Sequence, residues 1–309
     1  MQPTVFIPNY NGERRIERAL EGLRGQSREV AVVVVDNGSA DGSIELVRTR
    51  FPEVELVELG ANLGFGPALN RGVAAYSEAD PVILLNDDAA PEPSFVAALL
   101  ERADAAESVA GVMVQEVDSD LIDSAGVVAD RTLMGFDHLH GEPVTVAAAA
   151  PDPLGPTGGA ALYRRAAFEA VGGFDERIFL YYEDLDLALR LAGGGARCRL
   201  APEARAVHAY SASLGAASAD KYAATGWSRG YMLRRYGVTA EPRLALRALA
   251  CEGALCAGQL LRDRTAAGLG GRIRGWRAAR GLERRDVDGA PLLDLSAREA
   301  LARRRRRRG

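Results

Sequence analysis

Val30-Ala31-Val32-Val33-Val34-Val35, closed by Asp36-Asn37-Gly38-Ser39, is the stretch on which the fold turns. Its apolar run has no polar alternation, so it describes a strand covered on both faces. Outward from it, Val5-Phe6-Ile7 and Val82-Ile83-Leu84-Leu85 read the same way, and residues 54–59 read as a further strand. Between these runs lie helical patterns over 14–25, 43–50, 66–75 and 94–106. Buried strands alternating with helices predict an α/β protein with a mostly parallel sheet and helices on both faces. In that class ligands gather at the carboxyl ends of the strands.

Those ends are polar one after another. They read Pro8-Asn9-Tyr10-Asn11-Gly12-Glu13, Asp36-Asn37-Gly38-Ser39, Asn62-Leu63-Gly64-Phe65-Gly66 and Asn86-Asp87-Asp88. Four such junctions on one sheet edge make a polar crevice. Carboxylates at a strand end suit a hard divalent cation, Mg²⁺ or Mn²⁺, which prefers oxygen and shares phosphate oxygens with a substrate. The same residues before Pro91 and Pro93 would also make an ordinary turn of side-chain hydrogen bonds.

A second acidic group follows Gly172-Gly173-Phe174-Asp175-Glu176. In Phe179-Leu180-Tyr181-Tyr182-Glu183-Asp184-Leu185-Asp186-Leu187 three carboxylates fall within four residues, and Gly193-Gly194-Gly195 closes the segment. The pattern predicts a short helix with Asp184 near its N-cap. The helix dipole would help keep a carboxylate there ionised, as a general base requires. An ordinary acidic helix start gives the same pattern. Arg190 is four residues after Asp186 and suits an ion pair within the helix. Residues 147–156 read as a connecting or acceptor-side loop, after which Gly158-Gly159 would let backbone approach a ligand closely.

In combination and order, these motifs with His208 resemble family 2 glycosyltransferases over about residues 3–236, most of all the bacterial rhamnosyltransferase-like group. The resemblance implies a GT-A fold and inverting transfer of a sugar, rhamnose in that group, from a nucleotide-diphosphate donor to a cell-surface glycan or lipid-linked acceptor. It places Asp36 on the donor's base, with Pro8, Tyr10 and Glu13 lining the base pocket. Asn62, Gly64, Asn70, Asn86, Asp87, Gly158 and Gly159 would complete the nucleotide-sugar site. Asp88 and His208 would hold the Mg²⁺ or Mn²⁺. Asp184 would be the base, with Glu183 as the second catalytic carboxylate or an acceptor contact. Asn86 departs from the family's usual aspartate. His138 and His140 read as solvent-facing, and Phe174-Asp175-Glu176 as a turn under the site.

Composition bounds the rest. With 309 residues and 48% hydrophobic content the chain can bury a full core. We expect a glycosyltransferase domain over 1–240, its nucleotide-sugar half 1–110 and its acceptor half 111–240, followed by a helical Arg-rich extension over 241–309. The extension holds 17 Arg against eight Asp and Glu, a surplus of nine positive charges; since the whole carries −4, the first 240 residues carry −13. Such a tail suits an anionic membrane surface, while no nucleic acid is expected as a partner. The start of the chain shows no secretory signal, and Arg247 and Glu252 interrupt the apolar residues 244–261. Cys198, Cys251 and Cys256 read as reduced thiols. The expectation is a cytoplasmic enzyme, peripheral at the inner face of the plasma membrane. Two alternatives are a sugar-nucleotide pyrophosphorylase, which would need a glycine-rich loop with Arg and Lys after the first strand, and a catalytically weak nucleotide-sugar-binding protein.

Overall fold

The computed structural model describes residues 2–209 and 218–306. Residues 307–309 of the expected extension lie outside the described residues. The first half alternates β1 (Gln2–Asn9), α1 (Ile16–Arg24), β2 (Ala31–Asp36), α2 (Ser43–Arg50), β3 (Glu55–Glu58), α3 (Phe65–Ala75) and β4 (Ala79–Leu85). These strands are parallel, in the order β3-β2-β1-β4.

The continuous apolar runs are explained by what each face meets. Val5, Ile7, Val34, Ile83 and Leu85 enter one core with Leu20 of α1 and Val47 of α2. Their neighbours Phe6, Val33, Val35, Val82 and Leu84 enter another with Leu69 and Val73 of α3. Successive strand residues point to opposite faces, so a sheet with helices on both sides requires apolar residues at every position.

Next come β5 (Ala89–Pro91), α4 (Phe95–Ala103), β6 (Ser108–Gln115), β7 (Ile122–Ser124), β8 (Val127–Ala129) and β9 (Gly135–Asp137). β10 (Ala160–Tyr163), α5 (Arg165–Ala170), α6 (Glu183–Gly193) and β11 (Cys198–His208) complete this half. β10 runs antiparallel between β4 and β6, and β11 lies parallel to β6 with β5 antiparallel on its outer edge. Parallel order therefore holds through β4 and gives way to a mixed sheet, since β10 returns with no crossover helix leading it back from the far edge.

α7 (Ala219–Arg235) follows, and the extension holds α8 (Pro242–Asp263), α9 (Ala267–Ala278) and α10 (Ala297–Arg306). Gly226 and Gly230 of α7 lie against the α9 backbone, and Gly271 and Gly275 of α9 against that of α7, so the two helices meet backbone to backbone. One core cluster joins Leu185, Ala188 and Leu189 of α6 to Tyr231, Met232 and Tyr236 of α7, and to Ala248 and Ala279. α7 and the tail's helices thus buttress α6, the helix that carries the acidic segment.

Candidate active site

The register sets Asn9 beside Asp36 at the carboxyl ends of β1 and β2. Asp36 is 2% exposed. Its Oδ1 accepts from Asn9 Nδ2 at 2.9 Å, and its Oδ2 accepts from the Gly38 and Ser39 amides at 3.1 and 3.0 Å. Asn9 Nδ2 also donates to Ser39 and Ser43 Oγ. Buried Asn37 donates to Asn62 Oδ1 at 3.0 Å and to the Gly64 carbonyl, and accepts from the Leu63 amide. The β2 and β3 ends are braced as one polar ledge. Pro8 is half-buried on it, Tyr10 projects outward at 46% exposure, and Glu13 and Asn62 reach solvent.

Four residues expected at the donor also shape the ledge itself. Gly64, at φ +94°, lies against the backbone of Phe179, whose carbonyl accepts from the Phe65 amide at 2.9 Å. A Cβ at Gly64 would meet Phe179, so the glycine docks the acidic segment onto the β3–α3 turn. Asn70 uses both ends of its amide on the Phe174 backbone, each bond 2.9 Å long. It pins the turn before the acidic segment, with its amide occupied there. Gly158 gives way to the Phe65 ring and Gly159 to Asn86 and Met113, while the Gly159 carbonyl accepts from the Asn86 amide at 3.2 Å. The close approach read from this glycine pair is to protein atoms.

After β4, Asp87 pairs with Arg15 at 2.8 Å, yet burial pushes its carboxyl up to about 6. Asp88 Oδ1 lies 3.2 Å from His208 Nε2, at the end of β11. On the ring's other side, His208 Nδ1 contacts Asp123 Oδ2 at 2.7 Å. Burial works against a charge on His208, but the hydrogen bonds to Asp123 and Asp88 outweigh it and raise the imidazole to about 10. A carboxylate on one ring nitrogen fixes the orientation of the other, the arrangement that supports metal-ligating histidines. Asp88 and His208 therefore fit a divalent cation as an oxygen and a nitrogen donor, once the imidazole proton leaves. Among the described residues no set of three His, Cys, Asp or Glu is grouped to hold a metal, so a cation here would share a substrate's oxygens.

Asp123 also draws in His140, whose Nδ1 is 2.7 Å from the Asp123 carbonyl and 3.5 Å from its carboxylate. His138 is 7% exposed and its Nε2 bonds the Pro151 carbonyl at 2.9 Å. Both histidines thus turn inward, correcting the solvent-facing reading. Sequence reasoning missed Asp123, Arg15 and His140. The one available signal was a lone acid, Asp123, inside the apolar run 121–128.

The acidic segment reaches α6 through Tyr181 and Tyr182, at φ +67° and +72°. Two successive non-glycine residues in the left-handed region store strain, which folds retain where a neighbouring group must be aimed. Tyr182 is the N-cap, so Asp184 sits at the second helical position, in the first turn and near the cap. The three carboxylates differ sharply. Glu183 is buried, its Oε2 has no hydrogen-bond partner, and burial with the adjacent Asp184 charge holds its carboxyl well above the ordinary range. Asp186 is fully buried and neutralised by Arg190 at 2.8 Å and by Arg285 of the extension, with Tyr236 donating to it at 2.8 Å. Asp184 alone of the three is half-buried rather than buried. Asp175 lies under the segment, held by Tyr231 at 2.7 Å and Arg285 at 2.9 Å.

Comparison with known proteins agrees with this geometry. Residues 4–172 match the family described as Glycosyl transferase family 2. N-acetylglucosaminyl-diphospho-decaprenol L-rhamnosyltransferase of Mycobacterium tuberculosis is 33% identical over 247 residues, covering 72% of this chain and 80% of that protein. Rhamnosyltransferase WbbL of Escherichia coli is 26% identical over 226 residues, 66% of this chain and 82% of its own. In fold, the chain is similar to the mannosyltransferase PcManGT from Pyrobaculum calidifontis in complex with GDP-Man and Mn²⁺ (TM-score 0.52, 20% identity, 90% of this chain and 86% of that one). It is also similar to GalNAc-T7 with UDP, GalNAc and Mn²⁺ (TM-score 0.60, 13% identity, 81% and 51%). Neighbours of this fold thus carry a divalent cation. A family match over more than half the chain, on a GT-A sheet with its polar rim, places this chain in glycosyl transferase family 2 as an inverting glycosyltransferase.

Proposed function

We propose that the chain moves a sugar, rhamnose, from a nucleoside-diphosphate donor to a lipid-linked or surface glycan. The observation that carries this is the division of labour among its carboxylates. Asp186 is neutralised, Glu183 is buried with an unpartnered oxygen, Asp88 faces a histidine, and Asp184 stands at the accessible start of α6. The 33% identity to a rhamnosyltransferase acting on a decaprenol-linked sugar supports both sugar and acceptor class.

Inverting transfer is a single displacement. The acceptor hydroxyl bonds to the anomeric carbon as the bond to the diphosphate breaks, and its proton passes to Asp184, worth roughly 10²–10⁴ in rate. Asp88 and His208 would hold a divalent cation, whose chemistry there would be to neutralise charge on a leaving diphosphate. Asp36, on the braced ledge, accepts the ring N–H of uracil, thymine or guanine, while Pro8 and Tyr10 flank the base. A lipid-linked acceptor would bring the enzyme to the cytoplasmic leaflet, where the arginine tail meets anionic headgroups.

The test is a melting-temperature screen of nucleotides and nucleotide sugars with Mn²⁺. It should show stabilisation by a uracil, thymine or guanine nucleotide, with a ranking that blurs in Asp36→Asn. An unchanged ranking in that variant would remove Asp36 from base recognition, and no stabilisation by any donor would sink the proposal.

A further inference from the structure

Helix α8 is built inside out. Its 22 residues, with mean hydropathy 1.4 over the best window, make it long and apolar enough by length and composition to cross a membrane, yet only 22% of that window is buried. The two charges that interrupt the sequence here both turn inward. Glu252, 6% exposed, bridges Arg229 at 2.6 Å and Arg272 at 2.5 Å. Arg247 pairs with buried Asp130 at 2.9 Å. Between Arg243 and Arg262, by contrast, every exposed residue of α8 is Leu, Ala or Gly.

These residues recur at helical spacing and form one stripe, about 22 Å long at 1.5 Å per residue from Leu246 to Leu261. Leu246 is 72% exposed and Leu261 80%, and Leu249 and Leu260 stand between them. Leu269 and Ile273 of α9 are exposed as well. Isolated apolar residues on a surface are ordinary, but a continuous stripe marks a binding surface.

We propose that this stripe is a membrane-contact surface, lying in the plane of an anionic leaflet. The inference rests on the lipid-linked acceptor reading and names the surface that serves it. Charge complementarity selects this occupant. Arg243, Arg262 and Arg264 on or beside α8, with Arg274 and Arg277 on α9, are exposed around the stripe. At the stripe's C-terminal end Asp263 accepts a hydrogen bond from Tyr222 at 2.6 Å; Glu241 is an exposed acid at its N-terminal end. An apolar stripe with a basic rim is the pattern of helices that lie in the headgroup region. A second copy of the chain would set these arginines against their own equivalents, because a two-fold interface pairs a surface with itself. Crossing the membrane would strip Glu252 from Arg229 and Arg272, leaving three uncompensated buried charges.

The test is flotation of the full chain with vesicles of phosphatidylcholine, with and without phosphatidylglycerol. The chain should float with the anionic vesicles. The double variant Leu249→Asp/Leu260→Asp should partition roughly tenfold or more weakly, since buried apolar side chains carry interfacial binding. Arg274→Glu/Arg277→Glu should lose the preference for phosphatidylglycerol. Melting curves check folding, and the milder pair Leu246→Ser/Leu261→Ser replaces the charged pair should that one unfold early. Undiminished flotation of a folded stripe variant overturns the proposal. So does light scattering that shows a dimer which the variant dissolves, with no vesicle binding. Stabilisation by UDP with Mn²⁺, measured on the same variants, reports the catalytic reading separately.

Discussion

The two polar regions of the crevice are built on opposite plans. At the ends of β1, β2 and β3 the side chains bond chiefly to one another, though buried Asn9 Oδ1 is left without a partner: Asn9 Nδ2 serves Asp36, Ser39 and Ser43, and Asn37 ties Asn62 to Gly64. At the start of α6 the backbone is strained at Tyr181 and Tyr182, and Glu183 buries a carboxyl oxygen without a partner. A ledge whose groups are mutually bonded holds its shape before any ligand arrives. Strain and an unmatched carboxyl lower stability, and folds keep them where chemistry needs a group aimed. The comparison separates a preformed binding wall from a reactive edge, and the edge is held in place from behind by Arg285 of the extension.

The contrast is broken most decisively at Asp184. Asp184→Asn should lose at least ~10²-fold in transfer while nucleotide-dependent melting shifts stay intact. Near wild-type turnover by this variant, alongside a dead but folded Asp186→Asn, would move the base elsewhere.

The cation pair comes next. Asp88→Ala, or excess chelator, should abolish the cation-dependent part of donor stabilisation, about 2.7 kcal/mol at a hundredfold excess over Kd. Full donor affinity in EDTA would contradict a role for Asp88 in metal binding.

Asp123 sharpens the same point from one residue further out. Because its carboxylate fixes the His208 ring, Asp123→Ala should weaken Mn²⁺ binding by about 10–100-fold, read by calorimetry or electron paramagnetic resonance without turnover. His140, on the far side of Asp123, should matter less.

On the preformed wall the expected effect falls on stability. Asn37→Ala removes three hydrogen bonds, leaving buried groups unpaired, and should cost about 1–3 kcal/mol by denaturant unfolding. Catalysis by the molecules that remain folded should change little.

The smallest effect concerns Glu183. Unfolded, its carboxyl titrates near the ordinary 4.5; folded, burial keeps the proton on well above that. Its contribution is fully present below pH 4.5 and declines as pH rises towards the folded value, because the native state then holds a proton that the unfolded state has released. Glu183→Gln should therefore flatten the fall of stability between acid and neutral pH. An unchanged pH slope would mean that Glu183 is ionised in the fold.

The first half of the sheet was legible from local pattern alone. A strand buried on both faces must be apolar at every position, and that signal is local, so 30–35 and 82–85 announced themselves and their polar ends followed. Local pattern also determined the pair Asp186–Arg190, which one helical turn brings together. What only tertiary structure decided was how similar residues divide their work. Asp36, Asp88, Glu183, Asp184 and Asp186 look alike in sequence, but burial and partners come from segments far along the chain. Arg285 neutralises Asp186 across 99 residues and Asp123 orients His208 across 85. The inward histidines and the antiparallel β10 escaped sequence reading for the same reason. Which way a side chain faces is set by what packs behind it, and no local pattern of charge or hydropathy encodes that neighbour.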